Sequence, residues 1–102
     1  MMSDIPHSLP LGLEAYGRSI DFTADNLPLK LQRAHTTKPG TWGLIHVLEG
    51  RIHFELEAPL AGEVFAERDD TIVIEPQAPH HVRFVEPGRF YVEFYRLAGA
   101  TS

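Results

Sequence analysis

The chain has 102 residues and a formal net charge of −5, with 43% hydrophobic and 23% charged residues. Such a length is one domain's worth, able to bury one core but not two, and the composition is that of a folded chain rather than a disordered one. There is no Cys, no apolar run near the roughly 18 residues a membrane helix needs, and no stripe of basic residues. That composition argues against disulfides, thiolate chemistry, a membrane span and nucleic-acid binding.

In chain order, the opening Met1-Met-Ser-Asp-Ile-Pro-His7 lacks a basic region followed by an apolar stretch, so no secretory signal is expected. A small domain without disulfide staples points to the cytoplasm. Residues 1–14, with Pro6, Pro10 and Gly12, read as an extended arm on the domain surface. From Leu27 to His35 apolar residues alternate, with Leu27, Leu29 and Leu31 on one face and Arg33 and His35 continuing it. That period predicts a strand. Thr36 to Gly40 is a turn. Trp42 to Glu49 is apolar on both faces, which suits a central strand covered on both sides, and Gly50 is expected to break it. Arg51 to Glu57 then alternates, Ile52, Phe54 and Leu56 inward against Arg51, His53, Glu55 and Glu57 outward.

Ala58 to Gly62 reads as a loop, Glu63 to Glu67 as a short edge strand, and Arg68-Asp-Asp70 as a turn. Thr71 to Glu75 is a strand, Pro76 to Pro79 a tight connection, and His80 to Val85 another strand. Glu86-Pro-Gly88 is expected to turn the chain into a last strand, Arg89 to Leu97, with residues 98–102 frayed. No twelve-residue segment carries a helical period. Short strands separated by regular turns predict an all-β sandwich or barrel in a single domain spanning residues 1–102.

Of six histidines, two draw attention. His80 shares parity with Val82 and Phe84 and points inward, and His35 ends an inward stripe. A closed sheet would bring them together at one interior point. His46, in line with Trp42, Leu44 and Leu48, either lines the same cavity or is a core histidine. His53 and His81 are expected to face solvent. Glu93 lies among Phe90, Tyr91, Val92, Phe94 and Tyr95. A carboxylate there must be paired, metal-bound or exposed; if the Phe90, Val92, Phe94 face is the core face, Glu93 points away from it.

Two stretches resemble the conserved strand pairs of cupins: Leu44-Ile-His-Val-Leu-Glu-Gly50 with Arg51-Ile-His-Phe54, and Ile72-Val-Ile-Glu-Pro-Gln-Ala-Pro-His80. That resemblance makes His80 the motif-two metal ligand and His35 the first histidine of motif one. Thr37 and Trp42 stand where the remaining motif-one histidine and glutamate would be, so two of the four usual ligands are missing. The ordered set Arg33-Ala-His35, Lys38-Pro-Gly-Thr-Trp-Gly43, Val47-Leu-Glu-Gly50, Glu75-Pro-Gln-Ala-Pro-His-His-Val82 and Phe90-Tyr-Val-Glu-Phe94 is similar to the TehB/YeaR-like family. That family includes small proteins and the N-terminal domain of some tellurite-resistance methyltransferases.

The resemblance implies a cupin-type double-stranded β-helix, a jelly-roll barrel with little or no helix, and metal ligands His35, His80 and Glu93. His46, Trp42 and Arg33 would line the pocket. Two imidazoles and a carboxylate suit a divalent ion such as zinc, iron, nickel or manganese, with open positions for a small molecule or an oxyanion. The expected function is a metal-binding cupin acting on a small molecule or oxyanion in a stress response. The alternative is a ligand-binding or interaction module using the pocket without metal. Methyl transfer is not expected, because no Gly-rich nucleotide-binding loop is present. Apolar strands at a sheet edge point to a homodimer.

Overall fold

The computed structural model describes residues 3–32 and 36–99. Among them the chain is all-β, with one short 3-10 helix, Leu29–Gln32. The strands are β1 Leu13–Arg18, β2 Phe22–Thr23, β3 Trp42–Leu56, β4 Glu63–Glu67, β5 Thr71–Ile74 and β6 His80–Leu97. They make a single antiparallel sheet in which β3 and β6 pair along nearly their whole lengths, from Trp42↔Tyr95 to Leu56↔His80. No helix among the described residues is long and apolar enough to cross a membrane.

The two long strands each serve two neighbourhoods. The first part of β3 pairs with β5, through Gly43↔Ile74 to His46↔Thr71. The second part pairs with β4, through Arg51↔Glu67 to Glu55↔Glu63. On β6 the segment beyond the middle takes β2 at Phe22↔Phe90 and β1 at Arg18↔Glu93 through Leu13↔Leu97. The sheet thus has two halves, and within its ladder the middles of β3 and β6 join them.

Those middles are irregular for a reason that can be read in the residues. The β3–β6 register shifts between Val47 and Glu49, Glu49 and Arg51, and Arg51 and Ile52. Bulges of this kind bend a strand and increase its twist. Gly50 has φ of +74°, and a Cβ built there would lie 2.4 Å from the Pro87 carbonyl oxygen. A Cβ on Gly88 would lie 1.9 Å from the carbonyl oxygen of Glu49. Only two glycines let the backbones cross this closely. The sequence pattern predicts strand ends at Gly50 and at Glu86–Gly88. The ladder instead runs through both, and the glycines bend the strands rather than ending them.

The bend turns the inner faces of the two halves toward each other. Ile52 and Phe54 from one half and Ile45 and Phe90 from the other are the largest fully buried side chains, and all four belong to one core cluster. Phe84 and Phe90 bring their ring centroids to 5.6 Å across the fold. On the first part of β3, Gly43, Ile45 and Val47 are buried while Trp42, Leu44, His46 and Leu48 are only half-buried. This strand is therefore covered on one face and not on two.

Two further expectations change. The strand expected from Leu27 is instead a 3-10 helix at Leu29–Gln32, started where Pro28 offers its carbonyl to the Leu31 N–H at 3.0 Å. Pro28 presets φ for such a turn; the rest of that expected strand, Arg33 to His35, lies outside the described residues. The arm of residues 1–14 gives way to β1 at Leu13. Five of the six residues of β1 are exposed, so no apolar alternation marked it as a strand. Before β1, Asp4 fastens the arm to the 58–62 loop. Its N–H donates to the Ala61 carbonyl at 2.7 Å, and its carboxylate accepts from the Ala61 N–H at 2.8 Å.

Candidate functional site

Between the two halves lies a cavity of about 400 Å³. One wall comes from His80 and Val82 on β6. The other comes from Ile45, Ile74, Phe90, Val92 and Phe94, with Phe22 and Leu31 closing the side. Ser19, Lys30 and Thr37 supply polar groups to the lining. Thr37 holds its loop against the β5–β6 connection: its hydroxyl donates to the Glu75 carbonyl at 3.4 Å and accepts from the Gln77 N–H at 3.1 Å.

His80 is 3% exposed. Its Nδ1–H donates to the Ala78 carbonyl at 2.8 Å, which fixes the orientation of the ring. The ring stacks on Phe54 at a centroid distance of 5.2 Å. Pro79 and the Ala78 carbonyl thus orient a rigid imidazole in the cavity wall, where its parity with Val82 predicts it.

Glu93 lies on the other face of the sheet. It is opposite Leu44 on β3 and Arg18 on β1, and the cavity is lined by its neighbours Val92 and Phe94. The Tyr95 hydroxyl donates to Glu93 Oε1 at 2.6 Å, and His46 Nε2 meets the same oxygen at 3.1 Å. The hydrogen bond from Tyr95, aided by His46 and the Arg18 charge and opposed by desolvation, holds the Glu93 carboxyl below its ordinary value. The same bond pushes the Tyr95 phenol up to about 12. His46 stacks on Tyr91 at 4.6 Å, and the Arg18 guanidinium lies 3.8 Å from the centre of the Tyr91 ring. The outer face of this half is thus an ordered polar and aromatic patch that also carries Trp42, Leu44 and Tyr95.

The structure therefore does not bring His80 and Glu93 together. His46 stands on the outer face with Glu93, and Trp42, paired with Tyr95, is on that face as well. Arg33 and His35 lie outside the described residues. With Glu93 facing away from the core, sequence reasoning sets it beside Tyr91 and Tyr95, but it missed His46 as a partner. The signal for the tyrosines was present, since Tyr91, Glu93 and Tyr95 recur at the period of two that places strand residues on one face. His53 was expected to face solvent. It points outward from the core but is 6% exposed, covered by Phe65 with ring centroids 4.7 Å apart. Period alone could not show that β4 would lay a phenyl ring over it.

A bent antiparallel sheet with an apolar cavity between its halves defines a small all-β domain. The chain belongs to the TehB-like domain family, whose model matches residues 18–92. It is 42% identical over 66 residues to the probable S-adenosyl-L-methionine-dependent methyltransferase TehB of Haemophilus influenzae, in each of two strains. That match takes in 65% of this chain and 21% of the relative, so the chain spans about a fifth of the length of the curated relatives it matches. The crystal structure of TehB from Haemophilus influenzae superposes with a TM-score of 0.77 at 32% identity, covering 85% of this chain and 32% of that one. The crystal structure of a protein from E. coli (strain K12) gives 0.79 at 14% identity, covering 88% and 96%, a likeness of fold alone.

These relatives overturn the expectation of a metal-binding cupin with a divalent metal cofactor. The two curated relatives carry the name probable S-adenosyl-L-methionine-dependent methyltransferase, the reaction class set aside at the sequence level. The physical reason that the sequence misled is the face of Glu93. Its carboxylate is engaged by Tyr95 and His46 on the far side of the sheet from His80.

Proposed function

We propose that this domain binds a small, largely apolar molecule between the halves of its sheet, as the ligand-holding part of an S-adenosylmethionine-dependent methyl-transfer system. The cavity is the observation that carries the reading. At about 400 Å³ it lies in the range of small-molecule sites, and such sites combine apolar walls with a few polar groups that set orientation. Here His80 adds an imidazole fixed in orientation to the wall, and Lys30 favours an anionic end on the ligand. A bare oxyanion would leave most of the apolar wall unfilled.

The same cavity does not suit S-adenosylmethionine. That molecule carries a sulfonium, an ammonium group and a ribose diol, which call for carboxylates or carbonyls as partners. No Asp or Glu is among the described residues of the lining. The reading therefore assigns the cavity to the methyl acceptor or its product, and S-adenosylmethionine to another part of the system. His80 and Lys30 orient the acceptor, while Phe90, Val92 and Phe94 exclude water from its apolar body.

The finer architecture in this reading is a cupin-type jelly roll, supported by two long bent strands that each carry short partners on both halves. Residues 1–102 form one domain, and the Cys-free composition supports a cytoplasmic place. Two copies meet through the outer aromatic patch around Trp42, Leu44 and Tyr95.

Thermal unfolding in the presence of aromatic and branched aliphatic carboxylates, and of S-adenosylmethionine, tests the cavity. Ligand bound only to the folded state raises the midpoint. The expected result is a rise with an apolar carboxylate, abolished in Val92→Phe, which fills the cavity, and no rise with S-adenosylmethionine. No response to any apolar ligand would overturn the reading, as would S-adenosylmethionine binding that Val92→Phe removes.

A further inference from the structure

On the outer face of the other half, β3, β4 and β6 place two histidines among three glutamates. His53 is paired across the ladder with Phe65 and Arg83, and Glu55 with Glu63 and His81. One ligand atom each from His53, Glu55 and His81 lie within 4.8 Å of one another. From this juxtaposition we propose that the face binds a late transition-metal ion of the zinc type, held by His53, Glu55 and His81. It is separate from the cavity, uses none of the residues expected to bind metal from the sequence, and takes no part in methyl transfer.

The hydrogen bonding supports the assignment atom by atom. His53 Nε2 lies 2.9 Å from Glu63 Oε2, so this nitrogen carries the proton and donates it to the carboxylate. Nδ1 then holds the ring's lone pair. That atom is buried and has no hydrogen-bond partner among the described residues, on a side chain only 7% exposed. A buried nitrogen lone pair without a partner is costly, and a metal ion would satisfy it.

His81 presents the complementary case. Its Nδ1 is 3.1 Å from Glu57 Oε2, and its Nε2 is 3.2 Å from Glu55 Oε1. A neutral imidazole has one N–H for these two carboxylates. With that proton donated to Glu57, the Nε2 lone pair faces the Glu55 oxygen, an arrangement that a cation bridges. Each histidine would then offer one nitrogen to the ion and one N–H to a carboxylate. This carboxylate–histidine–metal order orients ligating imidazoles and raises their basicity. The ring centroids of His53 and His81 are 6.4 Å apart, close enough for both rings to reach one ion. Two nitrogens and one oxygen from protein, with water completing a tetrahedron, suit zinc.

Zinc chloride titrated calorimetrically into the full chain tests the proposal. The expected result is uptake of one equivalent at this face, weakened by about tenfold or more in His81→Gln and in Glu55→Gln. Both residues are partly exposed, so these variants avoid disturbing the buried His53, and their unfolding midpoints without zinc should match the parent. Glu57→Gln should weaken binding less than His81→Gln, whereas His46→Gln and His35→Gln should leave it unchanged. Zinc affinity unaltered in both His81→Gln and Glu55→Gln would overturn the proposal. So would the absence of any uptake, or uptake lost in His35→Gln.

Discussion

Gly88→Ala probes the crossing on which both halves of the sheet depend. The added methyl would sit 1.9 Å from the Glu49 carbonyl oxygen, 2.4 Å from its carbon and 2.6 Å from the Cα of Gly50. All three are backbone atoms, so no side chain can swing aside, and β3 and β6 must part by about 1.5 Å at their tightest approach to restore ordinary contact. Overpacking costs about 1–3 kcal/mol where side chains can adjust. With backbone on both sides the expectation is the upper end or beyond, about 3–4 kcal/mol. That is a large share of the roughly 5–15 kcal/mol by which a domain is stable. At about 4–8 °C per kcal/mol for a chain of this size, the midpoint should fall by more than about 12 °C. The assay is urea and thermal unfolding followed by circular dichroism. Gly17→Ala is the control, since a Cβ at Gly17 meets nothing within 4 Å and its backbone needs no positive φ. If Gly88→Ala and Gly17→Ala unfold within about 1 kcal/mol of each other, the crossing does not constrain the fold as argued.

The outer patch makes a prediction about pH. Glu93, held below its ordinary 4.5 chiefly by the Tyr95 hydrogen bond, contributes stability that is present above that value and lost as pH falls through its lower folded value. Tyr95, pushed from 10.0 up to about 12, contributes stability that is full below pH 10 and lost as pH rises toward 12; ultraviolet titration should find one phenol near 12, and Glu93→Gln should bring it back toward 10. A Tyr95 that titrates unchanged in Glu93→Gln would show that the bond does not set its value. The dimer reading predicts twice the chain mass in light scattering, and a shift toward monomer in Trp42→Lys. A parent that already runs as a monomer would remove that reading.

How much of this was legible beforehand differs from residue to residue. Period-two alternation placed Ile52, Phe54 and Leu56 inward and matched β4 to Glu63–Glu67. The turn at Arg68–Asp70 was marked by its acidic residues, and Asp69 takes φ of 74° there. Edge strand β1 was silent because it buries almost nothing. Glu93 was legible only conditionally, since its direction follows from which face of β6 meets the core. His53 was misjudged because its cover comes from Phe65, on a strand next to it in space but 12 residues on in sequence.

Local chemistry by itself determined the all-β class, most strand positions, the membership suggested by the ordered motifs, and the inward direction of His80. Those follow from backbone period and turn residues, which act over a few positions. Only the tertiary structure decided that Gly50 and Gly88 bend continuous strands rather than end them, that a cavity opens between the halves, and which carboxylate meets which imidazole. Such outcomes depend on contacts between residues far apart in sequence, such as the Ser19 hydroxyl accepting from the Val92 N–H, 73 positions away. Backbone period carries no information about that range, because it sets a side chain's face but not what the fold later lays against it.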